Sequence, residues 1–249
     1  MWSYLLPIEY LGTLKSFYES KLMTTTFKHP ISSVDYPESD GLTMAESDAA
    51  RDYLIYSVES LKIHFQNHPQ VYVSGNLFIY YEEGNPKAAV APDVFVVFGA
   101  EKKQRLSYKV WAENDRIPDF ILEITSKSTA SQDRGTKKGL YAYLGVKEYF
   151  QFDPTADYLQ PSLQGFRLVD GNYLPMPSQE GKEQLSIESE VLGLELWLQA
   201  DGAMRFYDPT TGEKLLSPQE LAQARFAQQQ KSSKLADKLR QLGIDPDSI

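Results

Sequence analysis

Two short runs of apolar residues constrain this chain more than anything else in it. Val94-Phe95-Val96-Val97-Phe98 has no polar position at all, and Phe120-Ile121-Leu122-Glu123-Ile124 has one. Strands wet on one face alternate polar and apolar residues; these two do not, so each reads as a strand buried on both faces. A sheet covered on both faces needs packed layers on either side.

The flanking segments supply such layers. Thr43-Met44-Ala45-Glu46 has the spacing of a capping box, predicting a helix start. Leu54, Val58, Leu61 and Phe65 follow at steps of four, three and four, one apolar stripe along that helix. Asn67-His68-Pro69 ends it. Val71-Tyr72-Val73 and Leu77-Phe78-Ile79-Tyr80-Tyr81 are β-branched and aromatic, as strands are. Ser131 to Leu144 reads as a second helix stopped by Gly145, and Tyr149-Phe150-Gln151-Phe152-Asp153 as a further strand. Beyond Pro154, short strand-like pieces alternate with turn signals such as Asp170-Gly171 and Asp201-Gly202, which suggests an antiparallel meander. Pro218 to Leu242 is polar and helix-forming. Its thin stripe of Leu235, Leu239 and Leu242 suits a protruding or partner-packed helix. The order of elements predicts an α/β core around a mixed sheet, with a β extension and a terminal helix.

Composition removes several function classes. No stretch approaches the roughly 18 apolar residues of a membrane span. Cysteine is absent from all 249 residues, so no disulfide, thiol nucleophile or thiolate metal site exists. That usage fits a cytoplasmic chain. The net charge of −9 denies the chain a general basic coat, so a nucleic-acid partner has to meet a local patch. From Glu101 to Phe150, ten Lys and Arg stand against seven Asp and Glu, so that segment is locally basic. Residues 1–22 are Tyr- and Leu-rich and broken by Pro7 and Gly12. They read either as an extension upstream of a start at Met23 or as an extra helix.

The chemistry centres on Glu123, a carboxylate inside an apolar strand. A buried charge needs a partner or a metal. By itself Glu123 fits a strand-end ion pair with a Lys or Arg. However, Asp93 opens the other buried strand, directly after Pro92. Carboxylates at matching levels of adjacent strands lie about 5 Å apart. Such a pair forms a Mg²⁺ site when water and a substrate phosphate fill the other positions. Asp119 competes for that role, but it stands four residues from Glu123 on one strand, about 13 Å away. On the following helix Asp133, Lys137 and Tyr141 share a face at i, i+4 and i+8. Lys137 there is either half of a helical ion pair with Asp133 or a cation aimed at the strand ends. His64 and His68 have the helical spacing of a zinc pair, but no third ligand is visible.

These residues resemble the PD-(D/E)XK signature of restriction-endonuclease-like nucleases. The longer pattern is similar to the Uma-type restriction endonuclease domain, common in bacteria. The matching stretches are Gly84 to Lys87, Ala91-Pro92-Asp93-Val94, Glu123 to Thr129, Asp133 to Lys137 to Tyr141, and Gly145-Val146-Lys147-Glu148-Tyr149-Phe150 with Asp153-Pro154. They fall within about Asp40 to Pro218. One departure stands out: the superfamily places Lys two residues after the Glu, where this chain has Thr125.

The resemblance implies a restriction-endonuclease-like α/β fold over residues 23–216, with a helical tail over 217–249. It implies a Mg²⁺- or Mn²⁺-dependent endonuclease that hydrolyses DNA, with Asp93, Glu123 and the Ile124 carbonyl as metal ligands. The lysine would migrate to the helix as Lys137, with Lys127 and Lys138 as alternatives. Glu46 matches the acid that the superfamily often adds from its first helix. A homodimer and no membrane partner are expected. A second reading keeps the fold but not the turnover: a nucleic-acid-binding or assembly module.

Overall fold

In a computed structural model the chain is described at residues 34–37, 47–125, 132–180, 184–242 and 245–246. It divides into two units at Asp35 and Tyr36, and all the described helices and strands belong to the second. The segment 1–22, the capping box at Thr43 and Glu46, and Lys127 lie outside the described residues.

Helix α1 runs Asp48–His64. Ser47 Oγ accepts the Ala50 N–H at 3.1 Å and caps the helix. Asp48 in the first turn and Lys62 and His64 in the last complement the helix dipole. The strands are β1 (Val71–Ser74), β2 (Ile79–Tyr80), β3 (Ala89–Val90), β4 (Val94–Phe98), β5 (Tyr108–Lys109), β6 (Phe120–Ile124), β7 (Glu148–Phe152), β8 (Leu163–Val169), β9 (Asn172–Pro175), β10 (Gln179–Glu180), β11 (Leu185–Ser189), β12 (Leu194–Leu198), β13 (Met204–Asp208) and β14 (Glu213–Lys214). Helix α2 spans Lys138–Leu144, entered through a π-helical turn at Gln132–Lys137, and α3 spans Pro218–Gln241.

The main sheet has six strands in the order β1-β4-β6-β7-β8-β9. It is mixed: β6 and β7 run parallel and the other pairs antiparallel. The parallel pair is joined by α2, the crossover that parallel strands require. Gly145 ends α2 at φ 88°, a left-handed conformation that glycine adopts without penalty. The predicted meander splits in two. Its first hairpin, β8 and β9, extends the main sheet; β10 to β14 form a separate five-stranded antiparallel sheet.

Alternation along the strands sorts the core into two clusters. Val94, Val96, Phe120, Leu122 and Ile124 pack with Tyr56, Val58, Leu61 and Phe65 of α1 and with Ile187, Leu196 and Phe206 of the second sheet. Phe95, Val97 and Ile121 face the other way, onto Tyr141 of α2, Tyr149 and the small sheet β3-β2-β5. Both apolar runs are thus covered on both sides. The sequence parity then puts Glu123 on the α2 face, beside Ile121 rather than Leu122.

Helix α3 has no buried residue along its 24 positions, and Phe226 and Leu235 are exposed on it. Among the described residues no helix is long and apolar enough to cross a membrane.

Candidate active site

Strand register brings the two carboxylates together. Val94 pairs with Leu122 in the antiparallel β4–β6 ladder, so the next step places Asp93 opposite Glu123 on the same face. Asp93 Oδ2 accepts the Ile124 N–H at 2.7 Å. In a strand the N–H and C=O of one residue point the same way, so the Ile124 carbonyl is directed to the Asp93 side. The two carboxylates are close enough for the charge on Glu123 to raise the proton affinity of Asp93. Burial, and then the neighbouring Glu123 charge, push the Asp93 carboxyl well above its ordinary range; Lys137 and the Ile124 N–H pull the other way.

Glu123 is fully buried, and its two oxygens have separate donors. Lys137 Nζ donates to Oε2 at 3.0 Å and the Tyr141 hydroxyl donates to Oε1 at 2.6 Å. Lys137 keeps 23% of its side chain exposed, so its ammonium sits between the buried carboxylate and solvent. Tyr141 is enclosed, and burial followed by the Glu123 charge raises its phenol well above the usual tyrosine range. Lys137 and Tyr141 are four apart, the helical step that stacks side chains on one face.

The other expected residues fall elsewhere. Lys138 lies 3.2 Å over the ring of Phe166, away from the carboxylates, and burial lowers its pKa. Asp119 sits at the opposite end of β6, accepting the Phe98 N–H at 2.8 Å and pairing with Lys147 at 2.7 Å. Thr125, where the superfamily has its lysine, is buried and hydrogen-bonded to the Tyr158 hydroxyl. Glu46, Lys127 and the Asp133 side chain lie outside the described residues. His64 and His68 both pack edge-on against Phe65. Among the described residues no group of three or more His, Asp or Glu is gathered, so Asp93 and Glu123 stand as a pair.

Three roles escaped the sequence reading. Tyr141 had the right helical phase but no apparent partner. Glu148, in the Gly-Val-Lys-Glu-Tyr block, is buried and holds the two larger sheets together. It accepts from Arg167 at 3.1 Å, Ser189 at 2.5 Å and the Glu190 N–H at 3.1 Å. Asp153 organises the next loop, accepting from Thr155, Tyr158 and Leu159 backbone N–H groups and from the Thr155 hydroxyl. A carboxylate beside an aromatic strand was the available signal in both cases. The partners of Glu148 lie 19 to 42 residues away and leave no local trace.

Residues 41–200 match the family Uma2, whose description is "Putative restriction endonuclease". Among solved structures the chain is similar to a putative nuclease belonging to DUF820 from Anabaena variabilis. The two share 13% identity with a TM-score of 0.41, over 64% of this chain and 78% of that one. No curated protein matches.

Proposed function

The chain belongs to the Uma2 family of restriction-endonuclease description, and from that premise we propose a metal-dependent endonuclease that hydrolyses phosphodiester bonds in DNA. The observation that most supports this is the convergence of Asp93, Glu123 and Lys137 at one end of two buried strands.

The donor set suits a hard divalent cation. It is all oxygen: two carboxylates and the Ile124 carbonyl directed to the same side. Two carboxylates buried side by side, each opposing the other's charge, are the arrangement that a cation between them relieves. Asp93, Glu123 and Ile124 would hold Mg²⁺ or Mn²⁺. When bound, the ion supplies Lewis acidity and lowers the pKa of water.

The chain's own groups do the rest. Ile124 N–H orients Asp93, while Tyr141 and Lys137 orient Glu123, so the donor oxygens are set before substrate arrives. Hydrolysis forms one P–O bond from a water oxygen and breaks the P–O bond to the leaving sugar oxygen. The water gives up a proton and the leaving oxygen gains one. Negative charge builds on the attacked phosphate, and the Lys137 ammonium, at the solvent margin of the site, stabilises it there.

The test is cleavage of supercoiled, linear and single-stranded DNA with Mg²⁺ or Mn²⁺, with Asp93→Ala and Lys137→Ala beside the wild type. Loss in both variants supports the assignment. Asp93→Ala cleaving as fast as the wild type would sink it.

The non-catalytic reading has one observation in its favour. Helix α3 buries no residue and leaves Phe226 and Leu235 uncovered, as an assembly helix would before it meets its partner. Metal binding without cleavage of any DNA form, together with a dimer that dissociates when residues 217–249 are removed, would establish that reading instead.

A further inference from the structure

A cleft of about 940 Å³ runs along the free edge of β1, the outermost strand of the main sheet. Its walls carry Lys62 from α1 and Lys102, Lys103 and Arg105 from the loop after β4, and its floor carries Tyr72 and Ser74. No carboxylate is among its lining residues, in a chain whose net charge is −9.

The four cations divide into two kinds. Arg105 is structural: it makes a two-pronged pair with Glu113, at 2.8 Å for each prong, and lies 4.1 Å over the Tyr72 ring. Lys102 donates to the Phe65 and Gln66 carbonyls at the end of α1. Together they fix the loop to the end of α1 and to Tyr72 of β1. Lys62 and Lys103 are half-exposed; their pairs with Glu59 and Glu101 are the solvent-screened kind that a phosphate can replace, and Glu113, which Lys103 also approaches, keeps Arg105 as its partner.

The cleft also ends in the right place. Ser74 is followed by Gly75, whose backbone lies so close to Asp93 that an added Cβ would stand 2.1 Å from the Asp93 carbonyl oxygen. Asn76 N–H then donates to the Pro92 carbonyl at 2.9 Å. The floor of the cleft therefore abuts the segment that carries the candidate metal ligand.

We propose that this cleft seats the backbone of one nucleic-acid strand, with Lys62 and Lys103 on its phosphates, and leads it to the carboxylate pair. The inference rests on the nuclease reading of that pair. A recess lined by cations suits one extended strand, whereas a duplex is read by elements that project into its grooves.

The test measures binding of fluorescent single-stranded and duplex oligonucleotides in EDTA over a range of salt. Removing two phosphate contacts lowers the salt slope for a single strand by about 1.4 and weakens binding about tenfold at low salt. Lys62→Ala/Lys103→Ala should show both effects with the single strand. Lys231→Ala/Lys234→Ala, the same charge removed from α3, should show neither. A photocrosslinking residue in place of the exposed Leu106 should capture the strand. Asp93→Asn separates this proposal from the one it rests on: it should abolish cleavage and leave binding in EDTA intact. Equal effects from both lysine pairs, an effect on duplex alone, or no binding by the wild type would overturn the cleft assignment. Loss of single-strand binding in Lys62→Ala/Lys103→Ala, with no cleavage by the wild type, would keep the cleft and reject the nuclease.

Discussion

Lys137 Nζ lies 3.0 Å from Glu123 Oε2, although fourteen positions separate them along the chain. The π-helical turn at Gln132–Lys137, which ends on the lysine just before α2, carries it back over the end of β6. Its neighbour Lys138, one helical step round, lies over Phe166 instead. One residue of helical phase, about 100° of rotation, separates the two destinations.

That difference makes the first prediction. Lys137→Ala should lower single-turnover cleavage about a hundredfold, the cost of removing one preorganised charge from a phosphoryl transition state. Lys138→Ala should leave it within about threefold. Equal losses in the two variants would show that helix charge, not the contact with Glu123, matters.

Tyr141→Phe keeps the ring and removes one donor from a fully buried carboxylate. The cost should be about 1 to 3 kcal/mol by urea denaturation. The hydroxyl orients Glu123 without reaching solvent, so affinity for Mg²⁺ should fall as well, read by isothermal titration. Unchanged stability and unchanged metal affinity would mean that Lys137 alone holds Glu123.

Glu148→Ala tests the join between the sheets. It removes the acceptor of Arg167, Ser189 and Glu190, and leaves buried donors without a partner. A loss of about 3 kcal/mol is expected, with cleavage per folded molecule unchanged. Reduced cleavage by folded Glu148→Ala would move this residue from the scaffold to the site.

Asp153 supplies the pH prediction. Burial acts to raise its pKa, but the hydrogen bonds from Tyr158, Thr155 and Leu159 outweigh it and hold the carboxyl below its ordinary value. A group depressed in the folded state stabilises fully above its unfolded pKa of about 3.9, and the contribution disappears as pH falls through the folded value. Asp153→Asn should therefore cost about 1 to 3 kcal/mol at neutral pH. The gap from wild type should close below about pH 4. A gap that persists at pH 2.5 would mean that the amide disturbs the loop by geometry rather than charge.

Several features were determined by the sequence alone, each by a local physical rule. The apolar runs at Val94–Phe98 and Phe120–Ile124, the second interrupted only by Glu123, have to be buried on both faces, and they are strands with those bounds. A carboxylate in such a run has to find partners, which singled out Glu123. Lys137 and Tyr141 share a helix face because four residues is nearly one turn. Tertiary structure decided what depends on distant groups. Whether Lys137 or Lys138 meets Glu123 depends on how α2 docks, with Tyr141 as its buried residue against the sheet. The described helix α1 is capped by Ser47, whose hydroxyl accepts the Ala50 N–H. The β8–β9 hairpin joined the main sheet because the edge of β7 was there to pair with, and turn residues do not record which edge is free. Glu148 found Ser189 and Glu190 across 41 and 42 residues, because a buried charge is satisfied by whatever the fold brings to it.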